Sequence, residues 1–145
     1  MIPPLSGTYA LILKADVTRE LIVGKIGSVR IHPGFYVYAG SAMGPGGLGA
    51  RVGRHMKKRK KRHWHIDHLR RHMEIIEIWY AVSEMKQECR WADFLSCFGG
   101  LSTRPGLGAS DCKCGSHLFY FEKMPLFSGF ATKISVPVFC KILKP

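Results

Sequence analysis

Residues 74–82, EIIEIWYAV, put apolar side chains on both faces of an extended chain, and a strand of that kind belongs inside a sheet covered on both sides. A second segment, SGTYALILKA at 6–15, has the same character: Tyr9, Leu11 and Leu13 fall on one face, Thr8, Ala10 and Ile12 on the other. FYVYAG at 35–40 follows a Pro33-Gly34 turn and sets Tyr36 and Tyr38 on one side, while ELIVGKIGSVRI at 20–31 reads as two short extended pieces around Gly24 and Gly27. HLFYF at 117–121 supplies a late strand, and TKISVPVFCKIL at 132–143 a closing one whose Pro137 argues for an edge position. The expected fold class is therefore α/β in the α+β sense, a small antiparallel sheet flanked by helices.

The helices announce themselves by spacing. GSAMGPGG at 40–47 cannot continue a strand, and beyond it Leu48, Val52 and Met56 form a predicted inward stripe, with Arg51 and His55 one above the other on the neighbouring face. HIDHLRRHM at 65–73 predicts a second helix with Ile66, Leu69 and Met73 inward and Asp67 in reach of Arg70 or Arg71. Ser83 is placed to cap a third over 84–98, where Trp91, Leu95 and Phe98 make the buried stripe. Glu88 sits on that stripe. A carboxylate drawn toward a core must face a cation or a cleft, so a salt bridge to Arg51 or another basic residue and a metal ligand both stay open.

At 145 residues and 46% hydrophobic content the chain suits a single domain over 1–145. It contains neither the ~18 consecutive apolar residues of a membrane span nor the pattern of a signal peptide, which reads as a soluble, cytoplasmic protein with no membrane partner. Five cysteines, an odd number, argue against a disulfide framework. A net charge of +12 points to a polyanion, with nucleic acid the leading partner and DNA foremost. The candidate nucleic-acid-binding residues are Arg54, Lys57, Lys58, Lys60, Lys61, Arg62 and His63. KKRKKR at 57–62 also mimics a nuclear localisation signal but is read as contact surface.

Cutting a phosphodiester needs an activated water, a cation for the phosphoryl oxygens and commonly a divalent metal on hard oxygen ligands. Arg51 presents a planar fork matched to phosphate, His55 could shuttle a proton, Tyr9 and Tyr38 could position or deprotonate water, and Glu88 could hold the metal.

The ordered series GTY (7–9), YAG (38–40), Arg51 with His55 as R-x-x-x-H, and Glu88 resembles the GIY-YIG nuclease superfamily. YVYAGSA, WHIDHL, Glu88-Cys89 and GASDCKCGSHLF further resemble a small prokaryotic GIY-YIG-like family, and that longer set spans nearly the whole chain. The resemblance implies a three-stranded antiparallel sheet flanked by helices and a metal-dependent endonuclease using one divalent ion, Mg²⁺ or Mn²⁺. It implies Tyr9 and Tyr38 lining the site, Arg51 stabilising the transition state, His55 assisting proton transfer and Glu88 binding the metal. Thr8 and Ala39 stand where the family has its name-giving isoleucines, and the asparagine many members carry after the glutamate is missing, since the chain has no Asn. Tyr36 is the alternative to Tyr38. A non-catalytic DNA- or RNA-binding module that kept this fold is the competing functional reading.

Cys112, Cys114 and His117 could hold zinc if a fourth donor such as Cys89 or another histidine approached. Cys-x-Cys is not the usual zinc-knuckle spacing, so the sequence weighs against zinc.

Overall fold

A computed structural model describes residues 2–57, 65–97, 101–102 and 117–143. Lys58, Lys60, Lys61, Arg62, His63, Phe98, Cys112 and Cys114 lie outside that set. The described chain is an α+β fold with eight strands and four helices, β1 (Gly7–Ala15), β2 (Arg19–Val23), β3 (Gly27–Ile31), β4 (Gly34–Ala42), α1 (Gly47–Met56), α2 (His65–Arg70), β5 (Glu74–Val82), α3 (Glu88–Cys97), β6 (Leu101–Ser102), β7 (Leu118–Phe121), α4 (Phe127–Ala131) and β8 (Phe139–Ile142). Six strands form one sheet in the order β6-β7-β4-β1-β5-β8, every neighbour antiparallel, and β2 and β3 make a separate hairpin. The resemblance implied three strands; the sheet has six, with β1 between β4 and β5. No helix among the described residues is long and apolar enough to cross a membrane.

The two-faced apolar pattern of β1 explains its central place. Tyr9, Leu11 and Leu13 join Tyr36, Tyr38, Leu48, Val52, Ile66 and Leu69 in one core, under α1 and α2. Ala10 and Ile12 join Val37, Trp79, Trp91, Leu95 and Phe130 in the other, under α3 and α4. In β5 strict alternation is broken: the register to β1 shifts between Ile12 and Leu13, which brings Ile75 and Ile78 onto the same face.

Local expectations need correction at four places. Met56 is 42% exposed and His55 is 0% exposed, so the inward stripe of α1 is Leu48, Val52 and His55; the helix ends at Met56, and a hydrogen bond draws His55 in. Asp67 pairs with Arg54, through Nη1 at 3.0 Å and Nη2 at 2.9 Å, rather than with Arg70 or Arg71. Arg70 instead donates to the carbonyls of His55 (3.0 Å), Met56 (3.1 Å) and Met73 (2.6 Å), satisfying the orphan acceptors at the end of α1. Finally, α3 begins at Glu88; the Ser83 hydroxyl accepts the Met85 amide in a local turn and caps no helix.

The start of α1 is fixed by the chain's first residues. Its amides at Leu48 and Gly49 donate to the carbonyls of Leu5 (2.8 Å) and Pro3 (3.0 Å), which replaces a side-chain cap. Gly47 has φ of 55°, and a Cβ there would collide with the Leu5 carbonyl, so only glycine lets the segment close over the helix.

The Arg54–Asp67 pair ties α1 to α2, with the carboxylate 0% exposed. Arg54→Ala strips a buried carboxylate of its bidentate partner and should cost about 3 kcal/mol. Thermal denaturation of the variant should show a midpoint lowered by roughly 8 °C; an unchanged midpoint would mean the pair holds nothing together.

Candidate active site

Tyr9 stands near the start of β1, cross-strand from Gly40 of β4. The absent side chain at Gly40 makes the space for its ring: a Cβ would lie 2.5 Å from the phenol oxygen. That phenol is 1% exposed and hydrogen-bonds Nε2 of His55 on α1 at 2.7 Å. Tyr38 completes the cluster, its ring centroid 6.5 Å from that of Tyr9 and 5.9 Å from that of His55. Tyr36 belongs elsewhere. It lies opposite Leu13, its hydroxyl accepts the His32 amide at 3.0 Å, and its ring stacks at 5.1 Å on Tyr120.

In front of this buried trio lies a half-buried one. Arg51, one turn before His55 on α1, donates from Nη1 to the Ser41 carbonyl at 2.9 Å, and its positive charge is felt at the Tyr9 phenol. The Ser41 hydroxyl donates to Oε2 of Glu88. Arg51 and Glu88 are thus connected through Ser41, at the end of strand β4. Thr8, opposite Ser41, accepts the Gln87 amide on its Oγ1 at 3.1 Å and so fixes where α3 starts. The Thr8 side chain that departs from the family's tripeptide therefore holds the helix that carries Glu88. Sequence spacing could not reveal Ser41 or Thr8 in this role, because their partners are 47 and 79 residues away.

A cavity of about 180 Å³ opens beside Arg51, lined also by Ala42, Gly44, Pro45, Gly47, Ala50 and Arg54. Tyr9, Tyr38 and Glu88 are not among its described lining, so the hollow meets the site at Arg51. Arg54, expected on the nucleic-acid face, borders this cavity while its fork is engaged by Asp67. Lys57, just past α1, is exposed.

Burial, then the neighbouring Tyr38, hold the Tyr9 phenol well above its ordinary pKa of 10.0, against a smaller lowering by Arg51. At neutral pH it is a phenol, a hydrogen-bonding group rather than a standing base. Because the unfolded chain loses this proton near pH ~10 and the folded one keeps it, stability is full below that pH and falls as pH rises beyond it. Alkaline denaturation should therefore steepen above pH ~10, less so in Tyr9→Phe; equal slopes for the two chains would contradict the buried phenol.

For a metal, the donor set is informative. Among the described residues no group of three or more His, Cys, Asp or Glu side chains gathers. A single carboxylate fits Mg²⁺, which keeps several waters and takes one or two carboxylates plus substrate phosphate oxygens. Glu88, half-buried in the first turn of α3, has that form.

The chain belongs to the family described as domain of unknown function DUF123, whose family model matches residues 8–135. Tyr9, Tyr38, Arg51, His55, Glu88 and His117 all fall within that span. No curated protein and no solved structure matches the chain.

Proposed function

We propose that this protein is a divalent-metal-dependent endonuclease of the GIY-YIG type, hydrolysing phosphodiester bonds in nucleic acid, DNA foremost. One observation carries the reading: a guanidinium from α1 and a carboxylate from α3 both hydrogen-bond Ser41, with the charge of that guanidinium acting on a hydrogen-bonded tyrosine–histidine pair. A structural ion pair needs only two of these groups, whereas phosphodiester hydrolysis has a use for each. The charge of +12 supports a polyanionic substrate.

In this mechanism Arg51 binds the non-bridging oxygens of the scissile phosphate and stabilises the charge that grows on them. Tyr9 orients the attacking water, and the proton it receives passes along the 2.7 Å hydrogen bond to His55 Nε2, so no free phenolate need accumulate. Tyr38 packs against both rings and keeps the relay aligned. Glu88 would hold Mg²⁺ or Mn²⁺, which when bound would supply Lewis-acid neutralisation of charge at the phosphate. Lys57, with Lys58, Lys60, Lys61, Arg62 and His63, grips the flanking backbone.

Purified protein incubated with single-stranded, duplex and branched DNA should cut at least one of them with Mg²⁺ or Mn²⁺ and none with chelator. A binding module would instead retain each substrate equally well in chelator, with affinity falling steeply as salt rises, and cut nothing. That outcome would overturn the catalytic reading.

A further inference from the structure

Next to Glu88, on the same first turn of α3, Cys89 points at a second element. Its Sγ lies 3.6 Å from Nε2 of His117, which immediately precedes β7 and is only 4% exposed. The His117 backbone is itself anchored, its carbonyl accepting the Ala39 amide at 3.0 Å beside the Tyr38–Leu118 pairing of β4 and β7. We propose that Cys89 and His117 are two ligands of a bound soft or borderline cation of the zinc class, clamping the start of α3 to the β4–β7 ladder.

The geometry is what such an ion demands. A tetrahedral centre about 2.3 Å from sulfur and about 2.05 Å from nitrogen sets those two donors ~3.6 Å apart. The observed separation of 3.6 Å matches that spacing. The donor types agree: thiolate and imidazole select zinc, whereas the Glu88 carboxylate suits Mg²⁺. Binding releases the Cys89 thiol proton to solvent, and His117 coordinates through the lone pair of its neutral Nε2, so no oxidant or reductant takes part. Two further thiols, Cys112 and Cys114, stand just ahead of His117 in the chain. They lie outside the described residues, and the proposed ligands are Cys89 and His117 alone.

This site does not depend on nuclease activity, and metal binding alone tests it. The full chain should bind one equivalent of Zn²⁺ in a titration followed by competition with a chromophoric chelator. Exchange with Co²⁺ should give a sulfur-to-cobalt charge-transfer band. Cys89→Ser and His117→Ala should each weaken Zn²⁺ binding by at least ~10- to 100-fold, since loss of even an outer-shell partner costs that much. Cys97→Ser, changing an exposed thiol at the other end of α3, should leave affinity and band unchanged. Should the first two variants fail to fold, His117→Cys decides: a thiolate replaces imidazole on zinc, so retained metal with a stronger charge-transfer band supports the site, and lost metal overturns it. A parent chain that takes up neither Zn²⁺ nor Co²⁺, or a folded Cys89→Ser with parental affinity and band, overturns it equally. Either result would leave a simple thiol–imidazole hydrogen bond.

Discussion

Glu88→Gln should abolish metal-dependent cleavage, lowering the single-turnover rate by at least ~10³-fold, while the protein folds and melts close to the parent. The amide keeps an oxygen that can accept the Ser41 hydroxyl, so the contact that holds this side chain at the end of β4 survives. What disappears is the negative charge. If Glu88 were only a structural counter-ion near Arg51, the opposite pattern would follow: a lower melting temperature with whatever turnover exists retained. Rates with Mg²⁺ and Mn²⁺, read beside a thermal melt of the same preparation, separate the two.

Arg51→Ala should cost about 10³-fold in kcat, the scale seen when a group aimed at transition-state charge is removed, with much less effect on substrate affinity. Affinity should hold because the other cations of the chain supply most of the phosphate contacts. Arg51→Lys should recover little. The fork donates to the Ser41 carbonyl and still presents donors to a phosphate, and an ammonium on a flexible stem cannot do both. Arg51→Ala also removes a lowering influence on the Tyr9 pKa, which should shift the alkaline limit of activity upward in whatever residual rate remains. A variant with unchanged kcat and a large loss of binding would make Arg51 a gripping residue rather than a catalytic one.

Much of the fold could be read from periodicity because the strands that matter alternate cleanly. Tyr9, Leu11 and Leu13 against Ala10 and Ile12 divide between the two cores as their spacing requires, and Tyr36 and Tyr38 share a face. Errors cluster where a distant partner outbids local pattern. His55 replaces Met56 on the inner side of α1 because a tyrosine 46 residues earlier receives it. Asp67 ignores the arginines on its own segment for one 13 residues back, where a bidentate fork is available. The 47-residue reach from Ser41 to Glu88 leaves no mark in either local sequence. Two elements leave no sequence signal for a different reason: α4 and β6 are short, and their sequences, FSGFA and LS, carry too few residues for a period to show.

The nearness of Tyr36 and Tyr38 in sequence left the second tyrosine open, and pairing geometry separates them. Leu11 faces Tyr38 and Leu13 faces Tyr36, so only Tyr38 reaches the ring of Tyr9. In the same way, Cys89 acquires meaning only once β7 has returned to place His117 beside α3.

The most direct measurement is a crystal structure of the Glu88→Gln protein, or of the parent with Ca²⁺, bound to a short non-cleavable oligonucleotide. The proposed mechanism requires a backbone phosphate with its oxygens on the Arg51 guanidinium, its phosphorus between Tyr9 and residue 88, and the metal of the parent complex on the Glu88 carboxylate. An oligonucleotide lying wholly on another surface, with Arg51 and Glu88 still linked only through Ser41, would contradict it.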